Sequence, residues 1–288
     1  MSEVILKAEG LVEVYGAGTP FEKTAVNNVS FELYENEFVG VIGHTGSGKS
    51  TLIQMLNGLI KPTEGTIYFR GEDVWAKKYD RRMLRSNVGL VFQYPEYQLF
   101  EETVEKDIAF GPRNMGLNEE EVALRVEQAM HFTGLSDKLR ESSPFELSGG
   151  QKRRVAIAGI LAMRPRVLIL DEPTAGLDPK GCSEILANVR EYQREERATV
   201  VLVSHSMEDV AANASRVLVL EKGNLKMLAS TQEVFARGEE LMKMGLNIPQ
   251  ITRIFLQLRA RGHENLPSVL SPEEAIRCLD AVTGGGRK

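Results

Sequence analysis

Two hydrophobic rhythms alternate along the chain. Val39-Gly40-Val41-Ile42, Val167-Leu168-Ile169-Leu170 and Thr199-Val200-Val201-Leu202-Val203 are unbroken apolar runs, which predict strands covered on both faces. Gly89-Leu90-Val91-Phe92 predicts another strand. Val12-Glu13-Val14-Tyr15 and Val29-Ser30-Phe31-Glu32-Leu33 instead alternate apolar with polar, the period of half-exposed antiparallel strands. Residues 217–228, broken by Lys222-Gly223-Asn224, predict a hairpin. Between them lie helical stretches. One is predicted over residues 49–57, stopped by Gly58 and Pro62. Residues from about 101 to 145 are mostly helical in pattern, with an amphipathic stretch from Glu119-Glu120-Glu121 to Phe132. From about Gly245 the strand signals stop. Two helical segments remain, near 248–261 and 272–282, and the tail Gly284-Gly285-Gly286-Arg287-Lys288 predicts disorder. The whole predicts the α/β class: a mixed sheet core, an antiparallel β subdomain, an inserted helical subdomain and a small C-terminal helical extension.

Composition narrows the function. Hydrophobic residues make up 42% and charged residues 26% of the 288, the balance of a globular protein with a sizeable core. Lys+Arg number 35 against 40 Asp+Glu, a net charge of −5, so bulk electrostatics do not favour wrapping nucleic acid. Two cysteines, Cys182 and Cys278, are too few for a metal cluster or a disulfide framework and read as reduced thiols. The first residues lack the basic start and apolar core of a signal peptide. No apolar run approaches the ~20 residues needed to span a bilayer. Any service to a membrane is expected from its surface, through a partner.

Gly43-His44-Thr45-Gly46-Ser47-Gly48-Lys49-Ser50-Thr51 fits G-x-x-x-x-G-K-[ST], with a strand before it and a helix after it. Such a loop turns backbone N–H groups onto phosphate oxygens, and the helix start adds partial positive charge. Lys49 is expected to reach the outer phosphates and Ser50 to ligate Mg²⁺; His44 sits at a variable position and is expected to face solvent. Asp171-Glu172 ends a buried strand, where nucleotide sites of such folds lie. Asp171 is expected to support Mg²⁺ and Glu172 to polarise the attacking water.

Leu147-Ser148-Gly149-Gly150-Gln151, with the basic helical run Lys152-Arg153-Arg154 behind it, lies between phosphate loop and acid pair. By these motifs the chain resembles the nucleotide-binding subunits of ABC transporters, P-loop ATPases, over about residues 3–235. The resemblance implies ATP and Mg²⁺ as ligands, and a composite site in which Ser148, Gly149, Gly150 and Gln151 contact the γ-phosphate of ATP held by the opposite subunit. It implies that Gln93 senses Mg²⁺ and the γ-phosphate, that Asp178 lies in the loop crossing the dimer interface, and that His205 binds the γ-phosphate and orders the water. Tyr15 becomes a candidate for stacking on adenine, with Phe21 as its rival and an ordinary strand tyrosine as the plain alternative. The nucleotide-binding domain would span 1–240, with the helical subdomain at about 95–160 inserted, and the extension 241–288.

A narrower resemblance is carried by Phe92-Gln93-Tyr94-Pro95-Glu96-Tyr97-Gln98-Leu99-Phe100, by Asp107-Ile108-Ala109-Phe110-Gly111-Pro112 and by Gly245-Leu246-Asn247-Ile248-Pro249. These resemble the energy-coupling factor branch, importers of vitamins and transition metals. That branch implies a second ATPase subunit, a transmembrane coupling protein, a small membrane protein that binds the substrate, and a peripheral position on the cytoplasmic face of the membrane. The Gly18-Thr19-Pro20-Phe21-Glu22 stretch resembles the second of two paralogous ATPases, which favours a heterodimer. The competing class is a soluble ABC ATPase acting on nucleic acid or the ribosome; it usually carries two nucleotide domains or a long coiled coil, and this chain has a single phosphate loop. Two surface questions stay open. Lys77, Lys78, Arg81, Arg82 and Arg85 are a solvated helical face or a contact for an acidic partner, and Leu99 and Phe100 either anchor a coupling helix or pack inside the insertion.

Overall fold

A computed structural model describes residues 3–263 and 266–283; the glycine-rich segment 284–288 lies outside the described residues. Among the described residues the strands form two sheets. The N-terminal alternating segments are longer than their patterns predict. β1 (Val4–Tyr15) and β2 (Lys23–Tyr34) pair antiparallel from Val4↔Tyr34 to Tyr15↔Lys23, with bulges that increase the twist. The second sheet starts at β3 (Phe38–Ile42), buried throughout. From there the chain passes through residues 43–48 into α1 (Lys49–Leu56) and returns to the first sheet as β4 (Glu64–Phe69) and β5 (Glu72–Asp73). The first sheet has the order β2-β1-β4-β5. α2 (Arg81–Asn87), capped by the Asp80 side chain, leads to β6 (Val88–Val91), the edge of the second sheet. The side-chain amide of Asn57, just past α1, donates to the Val88 carbonyl and pins α1 to that edge.

The inserted helices are α3 (Val104–Asn114), α4 (Glu119–Phe132) and α5 (Gly149–Leu161). Their buried faces, among them Ile108, Val122, Val126 and Val155, are continuous with the core beneath one face of the second sheet. β7 (Val167–Asp171), α6 (Pro179–Glu196), β8 (Thr199–Val203), α7 (Met207–Asn213) and the hairpin β9 (Arg216–Glu221) and β10 (Asn224–Ser230) complete that sheet, with order β10-β9-β3-β8-β7-β6. The unbroken apolar runs follow from its two covered faces. Leu168, Leu170, Val200 and Leu202 enter one core, and Val167, Ile169, Val201 and Val203 enter the other. β9, β3, β8, β7 and β6 are mutually parallel, so their C-terminal ends share one edge; there Val41 and Asp171 flank Val203 in register, and Val91 is paired with Leu170.

Past the hairpin come α8 (Thr231–Ala236), α9 (Gly238–Lys243), α10 (Gln250–Ala260) and α11 (Pro272–Thr283). Leu241, Leu246 and Ile248 still belong to the main core, whereas Phe255, Leu266, Val269 and Ala275 make a small cluster of their own.

Candidate nucleotide site

Residues 43–48 wrap the sheet edge between β3 and α1. Gly46 and Gly48 hold φ of +79° and +101°, conformations open to glycine and costly for other residues. A side chain at Gly48 would meet the Ala25 carbonyl oxygen at 2.3 Å, and one at Gly43 the Leu220 carbonyl oxygen at 2.5 Å, so the loop is seated against both sheets. No side chain caps α1, which leaves its first-turn N–H groups available to an anion. The Lys49 ammonium is buried and donates to the carbonyls of Gly43 at 2.6 Å and His44 at 3.2 Å. Burial pulls its pKa down against the opposing charges of Glu172 and Asp171. His44 is half-buried rather than solvent-facing, because its Nδ1 donates to the Thr45 carbonyl at 2.8 Å and folds the ring against the loop; Thr45 itself is exposed. The Ser47 hydroxyl is buried without a hydrogen-bond partner.

The acid pair comes to this loop from β7. Ser50 Oγ donates to Asp171 Oδ2 at 3.2 Å. Burial pushes the Asp171 pKa up, against the Ser50 hydrogen bond and the Lys49 charge. Glu172 stands in the left-handed region at φ +52°, and its N–H donates to the Val203 carbonyl at 3.0 Å. For a non-glycine residue that conformation costs about 1–2 kcal/mol, and such strain gathers at functional sites. Burial raises the Glu172 pKa, with the Asp171 charge adding to it; the His205 N–H and Lys49 oppose the rise. His205 N–H donates to Glu172 Oε2 at 3.3 Å. The His205 Nε2 lies 3.3 Å from Oε1 without hydrogen-bond alignment, so that buried oxygen is left without a hydrogen-bond partner. Burial and the Lys49 charge lower the His205 pKa, which favours the neutral ring.

Five of the expected residues therefore converge: Lys49, Ser50, Asp171, Glu172 and His205. Tyr15 adjoins them, its hydroxyl 3.3 Å from Thr51 Oγ1 at the start of α1 with the ring part-exposed, while Phe21 is 87% exposed. Gln93 is exposed two residues beyond Val91, at the same sheet edge; among the described residues its side chain makes no hydrogen bond. The Ser148–Gln151 segment stands apart. Ser148 caps α5 by accepting from Gln151 N–H at 3.4 Å, while Gln151 Oε1 accepts from Ser148 N–H at 3.0 Å. Gly149 and Gly150 have open space where a side chain would be, and among the described residues no hydrogen bond links this segment to the phosphate loop. Asp178 caps α6 through Gly181 N–H at 2.7 Å. The pattern does not reveal the pairing of buried Arg153 with part-exposed Glu96; the charged residue two places after Gln151 is its only trace, and it reads as one more surface cation in a basic run.

Of the two alternatives for Leu99, the structure takes the second. Leu99 is buried in the main core, because the short helical turn Pro95–Gln98 leads it inward, and so it anchors the insertion itself. Phe100 remains 55% exposed, edge-on to Phe110 at 4.8 Å between ring centres, and Tyr97 is 84% exposed.

A phosphate loop and paired carboxylates on one sheet edge, with a Leu-Ser-Gly-Gly-Gln helix on an inserted helical unit, define an ATP-binding cassette. Residues 26–175 match the ABC transporter family. The chain belongs to that family and, within it, to the energy-coupling factor transporter ATP-binding proteins. It is 56% identical over 270 residues to the energy-coupling factor transporter ATP-binding protein EcfA2 of Caldanaerobacter subterraneus subsp. tengcongensis, covering 94% of each chain. It is 53% identical over 282 residues to EcfA2 of Clostridium acetobutylicum, covering 96% of this chain and 99% of that one. Among solved structures it is similar to cbiO1 of Clostridium perfringens, part of the ABC transporter complex cbiONQ, with TM-score 0.74, 39% identity, and coverage of 88% of this chain and 98% of that one. It is also similar to the ATP-binding cassette MJ0796 in a dimeric post-hydrolysis state bound to ADP and Pi, with TM-score 0.70, 28% identity, and coverage of 78% and 98%.

Proposed function

We propose that this chain binds ATP at residues 43–51, hydrolyses it at Glu172, and powers an energy-coupling factor importer from the cytoplasmic face of the membrane. The convergence of Lys49, Ser50, Asp171, Glu172 and His205 carries this reading. Ser50 Oγ and Asp171 Oδ2 are hard oxygen donors already 3.2 Å apart, and they suit Mg²⁺, which would spread charge over the phosphates. Lys49 and the first N–H groups of α1 bind the phosphates, Glu172 accepts the proton of the attacking water, and the neutral His205 ring donates toward the γ-phosphate. Tyr15 rather than Phe21 packs on the adenine, since its hydroxyl is tied to α1.

The segment Ser148–Gln151 serves a second subunit's ATP. Its open glycines and its separation from the phosphate loop support a composite site, as does the dimeric state of MJ0796. The second subunit is a paralogue or another copy, with Asp178 at the crossing. A groove of about 750 Å³, lined by Arg82, Arg85, Phe100, Asp107, Phe110 and Met163, receives a helix of the transmembrane coupling protein, and the substrate is held by a separate small membrane protein. The nucleotide-binding unit spans residues 1–240 and the C-terminal extension 241–288, whose Leu241, Leu246 and Ile248 lie in the main core and whose Phe255, Leu266, Val269 and Ala275 make their own small cluster. Lys49→Ala and Ser148→Arg test the arrangement. The first abolishes nucleotide binding to this subunit; the second leaves that binding intact and blocks closure over the partner's ATP. Equal loss of binding in both places the two motifs in one site and refutes the composite reading.

A further inference from the structure

Arg153 is a buried cation that the hydrolytic groups do not use. Its side chain is 4% exposed and forks onto Glu96, Nε to Oε2 at 3.1 Å and a terminal nitrogen to Oε1 at 2.9 Å. The other terminal nitrogen donates the opposite way, to the carbonyls of Pro173, at 3.4 Å, and Ala175. The Tyr94 ring flanks the guanidinium, its centre 5.9 Å away. Each partner has a telling place. Tyr94 and Glu96 lie one and three residues past Gln93, Pro173 and Ala175 one and three past Glu172, and Arg153 itself is two residues past Gln151. Ala175 is tied a second time, because its N–H donates to the Glu172 carbonyl at 3.1 Å. A continuous path thus runs from Glu96 through one guanidinium to Ala175 and on to the backbone of Glu172, the residue held at φ +52°.

We propose that Arg153 is a positioning residue, which carries displacement of the Gln93 segment to the Pro173–Ala175 turn and so sets the placement of the Glu172 carboxylate. A guanidinium is planar and its donors are fixed relative to one another, so its two arms move as one body. Lysine has neither property. Because the guanidinium is buried, its donors are not exchanged for water at little cost, even though Glu96 is part-exposed. Glu172 is the sensitive end of the path: a strained residue returns toward ordinary backbone angles when the turn that holds it relaxes. The proposal rests on the ATPase reading and adds a mechanical input to it.

The test uses the intact membrane complex, purified through a tag on this chain, with wild type, Arg153→Lys and Glu96→Gln. ATP turnover is normalised to bound nucleotide, so that loss of folded protein does not mimic a slower enzyme. A misplaced carboxylate costs rate rather than affinity; Arg153→Lys is expected to lower kcat by about 10- to 100-fold with KM within about twofold. Glu96→Gln keeps a neutral hydrogen bond and is expected to lower kcat less, yet to raise amide exchange at Ala175 on the far side of the guanidinium. If Arg153→Lys fails to assemble, Glu96→Gln carries the test alone. Unchanged kcat and unchanged exchange at Ala175 in assembled variants overturn the proposal, as does a raised KM with normal kcat. A wild-type complex without ATP turnover overturns the ATPase reading together with this one, whereas normal wild-type turnover with unaffected variants removes this one alone.

Discussion

Gly48→Ala probes how the phosphate loop is seated. The added methyl would lie 2.3 Å from the Ala25 carbonyl oxygen, about 1 Å inside ordinary contact, at a backbone φ of +101°. That carbonyl has little room to retreat. Gly223 closes on it from another side, where a side chain would come within 2.9 Å, and Asn27 N–H is bonded to the Gly223 carbonyl at 2.8 Å. The unfavourable φ costs alanine about 1–2 kcal/mol, and overpacking adds about 1–3 kcal/mol. At roughly 2–4 °C per kcal/mol for a chain of this size, the melting temperature should fall by roughly 4–20 °C. Gly46→Ala is the control: φ is +79° there too, but no atom lies within 4 Å of the added methyl, so only the backbone cost applies. Thermal unfolding and binding of a fluorescent ATP analogue are measured for both. Gly48→Ala should lose more stability and, because the loop yields, more than about tenfold in affinity (about 1.4 kcal/mol). Equal melting temperatures for the two variants would refute the idea that the Ala25 contact holds the loop.

Three further outcomes are expected. Glu172→Gln should keep ATP binding and lower hydrolysis by about 10²–10⁴-fold, read by phosphate release and nucleotide retention; near-wild-type turnover removes Glu172 from its role. Tyr97→Asp and Phe100→Asp should leave the fold intact and weaken pull-down of the membrane subunit, whereas Leu99→Asp should unfold the insertion, since Leu99 is core; thermal melts and pull-downs separate the cases. Glu96 supplies a pH test. Burial pushes its carboxyl up, but the hydrogen bonds and charge of Arg153 outweigh that and hold it below the ordinary value of 4.5. The folded state therefore binds the proton less readily than the unfolded chain, and the stabilisation is full above about pH 5 and lost as pH falls through the lowered folded value. The melting-temperature gap between wild type and Glu96→Gln should accordingly shrink below about pH 4.5, and a gap that widens there contradicts the assignment.

The strands β3, β6, β7 and β8 were legible because each is buried on both faces, and a run such as Val200–Val203, rich in β-branched residues, is too short for a helix. The phosphate loop was legible because its glycines and its Lys-Ser pair sit at fixed spacing. β1 and β2 were only half legible: bulges at Ala8/Leu11 and Leu11/Glu13 break the alternation that period-two reasoning depends on. Leu99 could not be assigned, since an apolar residue beside a surface groove and one beneath it look alike in sequence. Arg153 was invisible for a related reason. Its partners are 57 residues upstream and 20–22 downstream, and nothing local marks a cation as buried.

The capping box at the start of α5 makes one hydroxyl answer to two constraints. Ser148 Oγ accepts from Gln151 N–H, and a hydroxyl used as acceptor still has its proton to give away. Aspartate caps a helix as well as serine does, at about the same free energy, but it offers only negative charge outward. Helix stability alone is therefore indifferent between the two residues, and on the composite-site proposal the serine proton is the part that would meet an electron-rich acceptor, which a carboxylate would repel. If that proposal holds, a Ser148→Asp variant would be a silent change for the fold and a severe one for binding of the partner's phosphate, separating in one side chain what the architecture requires from what the chemistry requires.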